Sequence, residues 1–203
     1  MLANPDPDAA LMLRVKRGDR AAFTELVEKY KQPVMNFVFR SLRDEAEAED
    51  VAQNVFLQVY KSRARYERTA KFSTWLFTIA RNLCLNEIRR RSRHPTESLE
   101  AVSPYAEDDQ PSRQFEDKKN FSPDDDALHR ELERKIEAAL AELPENQRTA
   151  IILYQRQEMS YEEIAEVLDC SLSATKSIIH RGRETLKEKL KPYLETGDWS
   201  GRE

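Results

Sequence analysis

From Asp19 onward, Phe23, Leu26, Val27, Tyr30 and Val34 recur every three or four residues, and Met35, Val38 and Phe39 continue the series. That is the period of an amphipathic helix. Asp19, just after Gly18, suits its N-cap, and Pro33 is expected to bend or interrupt it. A second helix is predicted from about Asp44. There the early acids Asp44, Glu45 and Glu47 suit a helix N-terminus, and Val51, Val55, Phe56, Val59 and Tyr60 form the apolar stripe. A loop follows over Tyr66 to Lys71. The stretch KFSTWLFTIARNLCLNEIRRRSR, residues 71–93, then reads as a third helix with Phe72, Leu76, Ile79 and Leu83 on one side.

After Pro95 the periodicity stops. Residues 95–127 scatter Pro, Ser and Asp with few apolar residues, the composition of a flexible acidic linker. Periodicity returns at 128–194. Leu132, Ile136, Ala139, Leu140 and Leu143 mark one helix, ended by Pro144, which also suits the start of the next, ENQRTAIILYQRQ. Ser160 to Glu163 is a capping box opening a short helix to Leu168. A last helix from Ser171 to about Leu190 carries Ile178, Ile179, Leu186 and Leu190, and 195–203 is a tail. The predicted fold is all-α. Two small helical domains, 1–94 and 128–194, are joined by a flexible acidic linker, and the C-terminal one contains a helix-turn-helix.

Composition agrees with that picture. With 39% hydrophobic and 34% charged residues in 203, the chain suits small units with large solvated faces. Four Gly leave little scope for hairpin-rich β folds. Charge changes the picture more. The net charge is −4, yet residues 61–93 hold ten bases against two acids, and residues 171–191 hold six against two. Between them, residues 94–129 hold ten acids and three bases. Two basic islands point to two contacts with a polyanion.

Other classes find no support. Cys84 and Cys170 match no ligand or redox spacing, and His94, His129 and His180 are isolated. No phosphate loop or nucleophile motif is present. The sequence therefore predicts no enzyme, no cofactor, no metal and no small-molecule substrate. No apolar run approaches the roughly 20 residues of a membrane span. The N-terminus MLANPDPDAALML carries two Asp where a secretory signal would be basic. A cytoplasmic protein without membrane insertion is expected.

Three surfaces carry candidate chemistry. In SYEEIAEVLDCSLSATKSIIHRGRETLKEKL, a short capped helix, a turn and a basic helix make a helix-turn-helix. Its second helix offers Ser173, Thr175, Lys176, Ser177, His180, Arg181 and Arg183, groups that suit base edges and phosphates in a major groove. In the 71–93 helix, Asn82, Asn86, Arg89 and Arg93 share a face opposite the apolar stripe, Arg90 lies beside them, and Trp75 stands where a ring can stack on an unpaired base. In DEAEAEDVAQNVFLQVYK, Asp50, Gln53, Asn54 and Leu57 share an exposed edge that suits a protein interface. The residues alone leave three readings open: a promoter-specificity subunit, an autonomous helix-turn-helix regulator, or a helical adaptor that does not touch DNA.

The pieces EDVAQNVFLQVYK, FSTWLFTIARNLCLNEIRRR, LPENQRTAIILYQRQEMSYEEIAEVLDCS and KSIIHRGRETLKEKL, in this order, resemble the extracytoplasmic-function sigma factors of bacterial RNA polymerase. The resemblance covers about residues 10–94 and 128–192. It implies a non-catalytic subunit that contacts the β′ clamp and β flap of core polymerase and binds promoter DNA. By that resemblance the polymerase contact falls on Asp50, Gln53, Asn54, Leu57 and Tyr60. The −10 element falls on the 66–74 loop, Trp75, Asn82, Asn86, Arg89, Arg90 and Arg93. The −35 element falls on residues 173–183, and an anti-sigma factor is an expected partner. The recognition helix departs from many relatives, with Ser173-Ala174-Thr175 in place of Gly-Thr-Val and Ile178 in place of an Arg, so no relative's −35 preference carries over.

Overall fold

The computed structural model describes residues 6–93 and 123–196, and the side chains of 6–93, 131–193 and 195. Among them all regular structure is helical: α1 (Pro7–Lys16), α2 (Arg20–Leu42), α3 (Glu45–Lys61), a single 3-10 turn (Arg63–Arg65), α4 (Phe72–Arg93), α5 (Pro123–Ala141), α6 (Glu145–Arg156), α7 (Tyr161–Leu168) and α8 (Leu172–Thr196).

In the first unit α2, α3 and α4 pack on one another, with α1 across α2 and α4. The caps are local and explicit. Asp19 accepts from the Ala22 amide at 3.1 Å and Asp44 from the Glu47 amide at 3.0 Å. Leu26, Val34, Phe37, Val51, Val55, Leu76 and Phe77 are buried between the helices, and Phe37 meets Phe77 edge-on at 5.4 Å. Phe72 is buried as expected. The buried stripe of α4 is rotated from the predicted one: Phe77, Ala80 and Cys84 are inside, whereas Ile79 and Leu83 are half-buried. Burial pushes the Cys84 thiol up to about 12, as befits an inert packing residue.

Two expectations change. Pro33 does not interrupt α2, which runs from Arg20 to Leu42 with Pro33 inside it. A mid-helix proline costs on the order of 3 kcal/mol, but Leu26 on one side and Val34, Phe37 and Val38 on the other anchor both halves in the core. And α1, over residues without assigned structure in the sequence reading, forms because Asp6 caps it and Pro7 opens its first turn.

In the second unit α5 starts at Pro123, inside the segment read as linker; the rest of that linker, residues 95–122, lies outside the described residues, as do His94 and residues 197–203 of the tail. α8 continues past the predicted end at Leu190 to Thr196. The capping box of α7 forms in full: the Glu163 amide donates to Ser160 Oγ at 3.2 Å, and the Ser160 amide to Glu163 Oε2 at 2.7 Å. Gly182 lets α8 approach α6, since a Cβ there would stand 3.1 Å from Ile151. The turn between α7 and α8 lacks glycine, and Asp169 takes the left-handed conformation instead at φ 52° and ψ 52°. Its neighbour's amide, Cys170 N, closes the turn on Ala165 O at 3.0 Å. Asp169→Gly should therefore raise the thermal stability of this unit by up to about 1 kcal/mol, because the left-handed region costs a Cβ-bearing residue strain that glycine lacks. A lower melting temperature would contradict this account of the turn.

The units touch. α7 lies against α4, and α6 and α5 against α2.

Candidate nucleic-acid interface

On α4 the core residues leave one face outward. At 100° per residue, Trp75, Asn82, Asn86, Arg89 and Arg93 fall within a narrow arc, and Asn82, Asn86, Arg89 and Arg93 are exposed. Trp75 is half-buried, its ring 5.0 Å from Tyr66 and 6.1 Å from Phe72. The face therefore begins with one partly open ring and continues with amides and guanidinium groups.

Arg90 is placed differently. It pairs with Glu87 at 2.8 Å and Glu47 at 3.3 Å. Hydrogen bonds from Arg90 hold the Glu87 carboxyl below its ordinary range. Its neighbour Arg91 pairs with Glu47 and reaches Asp44 at 3.6 Å and Leu42 O at 3.3 Å. These two arginines tie the end of α4 to the start of α3. Arg90 also lines a shallow groove between α3 and α4, together with Val51, Asn54, Leu57, Leu83 and Asn86.

The edge of α3 is open as expected: Asp50, Gln53, Asn54 and Leu57 are exposed, Leu57 by 55%. Among the described residues Phe39 and Leu57 are the large apolar side chains that stand exposed. Tyr60 is instead half-buried, its ring 5.0 Å from Phe23 and covered by the Arg63 guanidinium at 4.1 Å. It supports the edge more than it forms it.

On α8, Ser173, Lys176, Ser177, His180, Arg181 and Arg183 are exposed. Arg183 rests on the Tyr154 ring at 4.5 Å. Thr175 is the correction: it is fully buried, its hydroxyl donates to Ser171 O at 3.2 Å, and Cys170 Sγ lies 3.2 Å away. It packs the turn and presents nothing to a groove.

Four polar residues make contacts that the sequence reading missed, because their partners are remote in sequence. Asp6 Oδ2 accepts from the Phe72 amide and Lys16 Nζ donates to Tyr66 O, each at 2.8 Å. Lys71 and Arg81 reach the second unit.

A helical protein with an exposed amide–cation helix in one unit and a helix-turn-helix in the other is built to meet nucleic acid twice. Comparison with known proteins says which kind it is. Residues 26–94 match the family Sigma-70 region 2, and residues 133–186 match Sigma-70, region 4. The RNA polymerase sigma-H factor of Pseudomonas aeruginosa is 34% identical over 191 residues, covering 93% of this chain and 96% of that protein. The ECF RNA polymerase sigma factor SigW of Bacillus subtilis is 35% identical, covering 88% and 94%, and the sigma-E factor of Escherichia coli is 32% identical, covering 92% and 96%. The solved sigma factor RpoE of Bartonella quintana, in complex with the anti-sigma factor NepR, superposes with a TM-score of 0.64 at 25% identity, covering 83% of this chain and 96% of that one.

The chain belongs to the extracytoplasmic-function sigma factors, within the sigma-70 family. It is a non-enzymatic initiation factor that binds RNA polymerase and directs promoter-specific transcription through its two regions. No helix among the described residues is long and apolar enough to cross a membrane.

Proposed function

We propose that the two regions divide promoter reading as follows. α4 and the segment before it take the −10 element as an opened strand, with Trp75 stacking on a base, Asn82 and Asn86 reading base edges, and Arg89 and Arg93 meeting phosphates. α8 takes the −35 element as duplex through Ser173, Lys176, Ser177, His180, Arg181 and Arg183. The exposed α3 edge, Asp50 to Leu57, docks on the β′ clamp of polymerase, and the second unit meets the β flap. The carrying observation is the split of α4 into a buried stripe and an exposed amide–cation stripe. The adaptor reading leaves that stripe and the basic face of α8 without a role.

The chain works on polymerase in the cytoplasm, and the solved complex of a similar sigma factor with an anti-sigma factor supports a protein inhibitor here too. Purified core polymerase tests the whole. Specific initiation should appear only when the chain is added, and the chain alone should bind promoter duplex weakly. Tight, specific duplex binding without polymerase would favour an autonomous regulator. Within that assay Lys176→Ala should weaken −35 binding by roughly tenfold, the loss of one base or phosphate contact of about 1–2 kcal/mol. An unchanged promoter profile would reject its assignment.

A further inference from the structure

The segment between the 3-10 turn and α4 is fastened at both ends by α1. Lys16 Nζ holds the Tyr66 carbonyl at 2.8 Å at one end. Asp6 Oδ2 holds the Phe72 amide at 2.8 Å at the other, while Asp6 Oδ1 accepts from the Asp8 amide at 3.0 Å. One carboxylate thus caps two helices, α1 and α4. Between the fastenings lie Glu67 to Lys71, all but Ala70 exposed. The Tyr66 ring is buried and touches both Phe72 and Trp75.

We propose that Asp6 and Lys16 are positioning residues for −10 recognition. Neither needs to touch DNA. They fix the segment and the first turn of α4 before the strand arrives, so binding does not have to order them. This rests on the assignment of the −10 element to α4, and the test separates the two. Holoenzymes with Asp6→Asn, Asp6→Ala, Lys16→Met or Asn82→Ala are compared on a promoter carrying a fluorescent base analogue in the −10 strand. Asp6→Ala should lower open-complex formation about tenfold. Asp6→Asn should lower it less, since its one amide oxygen still accepts. Core-polymerase affinity should stay within about twofold, which a variant that merely unfolded the unit would not allow, and Lys16→Met gives a second reading that leaves both caps in place. If Asn82→Ala lowers opening and the α1 variants do not, the positioning role is wrong and the assignment stands. If none lowers it, the assignment fails.

Discussion

Alanine at Asn82 should lower promoter opening about tenfold while leaving core-polymerase affinity within about twofold. One amide that makes two hydrogen bonds to a base edge is worth roughly 1–3 kcal/mol of recognition, and each 1.4 kcal/mol is a factor of ten. Asn82 is exposed on the arc shared with Trp75 and Arg93, so its removal opens no cavity, and alanine favours the helix by a few tenths of a kcal/mol. Stability therefore cannot account for a loss. Asn86 makes the contrast. It lines the groove between α3 and α4 beside Asn54 and Leu57, so Asn86→Ala should weaken polymerase binding and opening together. Opening is followed by permanganate reactivity of −10 thymines, and affinity by titration of labelled core enzyme. Equal losses at Asn82 would remove it from the strand-reading role.

Most of the helices were legible because their signals are local. Asp19, Asp44 and the Ser160–Glu163 box cap α2, α3 and α7 through residues three positions ahead, which spacing alone reveals. The exposed face of α4 follows from the same periodicity. What stayed hidden depends on how the elements pack, in part through contacts between residues remote in sequence. Thr175 has the right residue type and a plausible register on α8, but the turn folds its hydroxyl back onto Ser171 O. Arg90 follows the outward-facing Arg89, yet Glu87 on its own helix and Glu47 on α3 draw it sideways. Pro33 reads as a break because the local cost is visible in sequence and the core on both sides of it is not. Asp6 caps a helix without a strong apolar period, and its second acceptor bond, to Phe72, joins residues 66 positions apart.

The opposite face of α4 supplies the other large effect. Phe77 is 1% exposed, stands edge-on to Phe37 at 5.4 Å, and joins α4 to α2 at the centre of the first unit. Phe77→Ala removes that ring where the neighbours are Phe37, Leu76 and other buried side chains that cannot collapse to fill the space. Such truncations cost about 3–5 kcal/mol, a large part of the 5–15 kcal/mol that holds an ordinary domain folded. The variant should show a lower melting temperature, and polymerase binding and promoter opening should fall in parallel, because α3 and α4 lose their common support. Phe77→Leu keeps most of the volume and should recover more than half of the loss. The two predictions thus separate the faces of one helix: Asn82→Ala divides opening from affinity, and Phe77→Ala lowers both with stability. A Phe77→Ala chain that melts normally and binds polymerase normally would mean that α4 is not held by the core described here, and the exposed stripe would lose the scaffold that aims it.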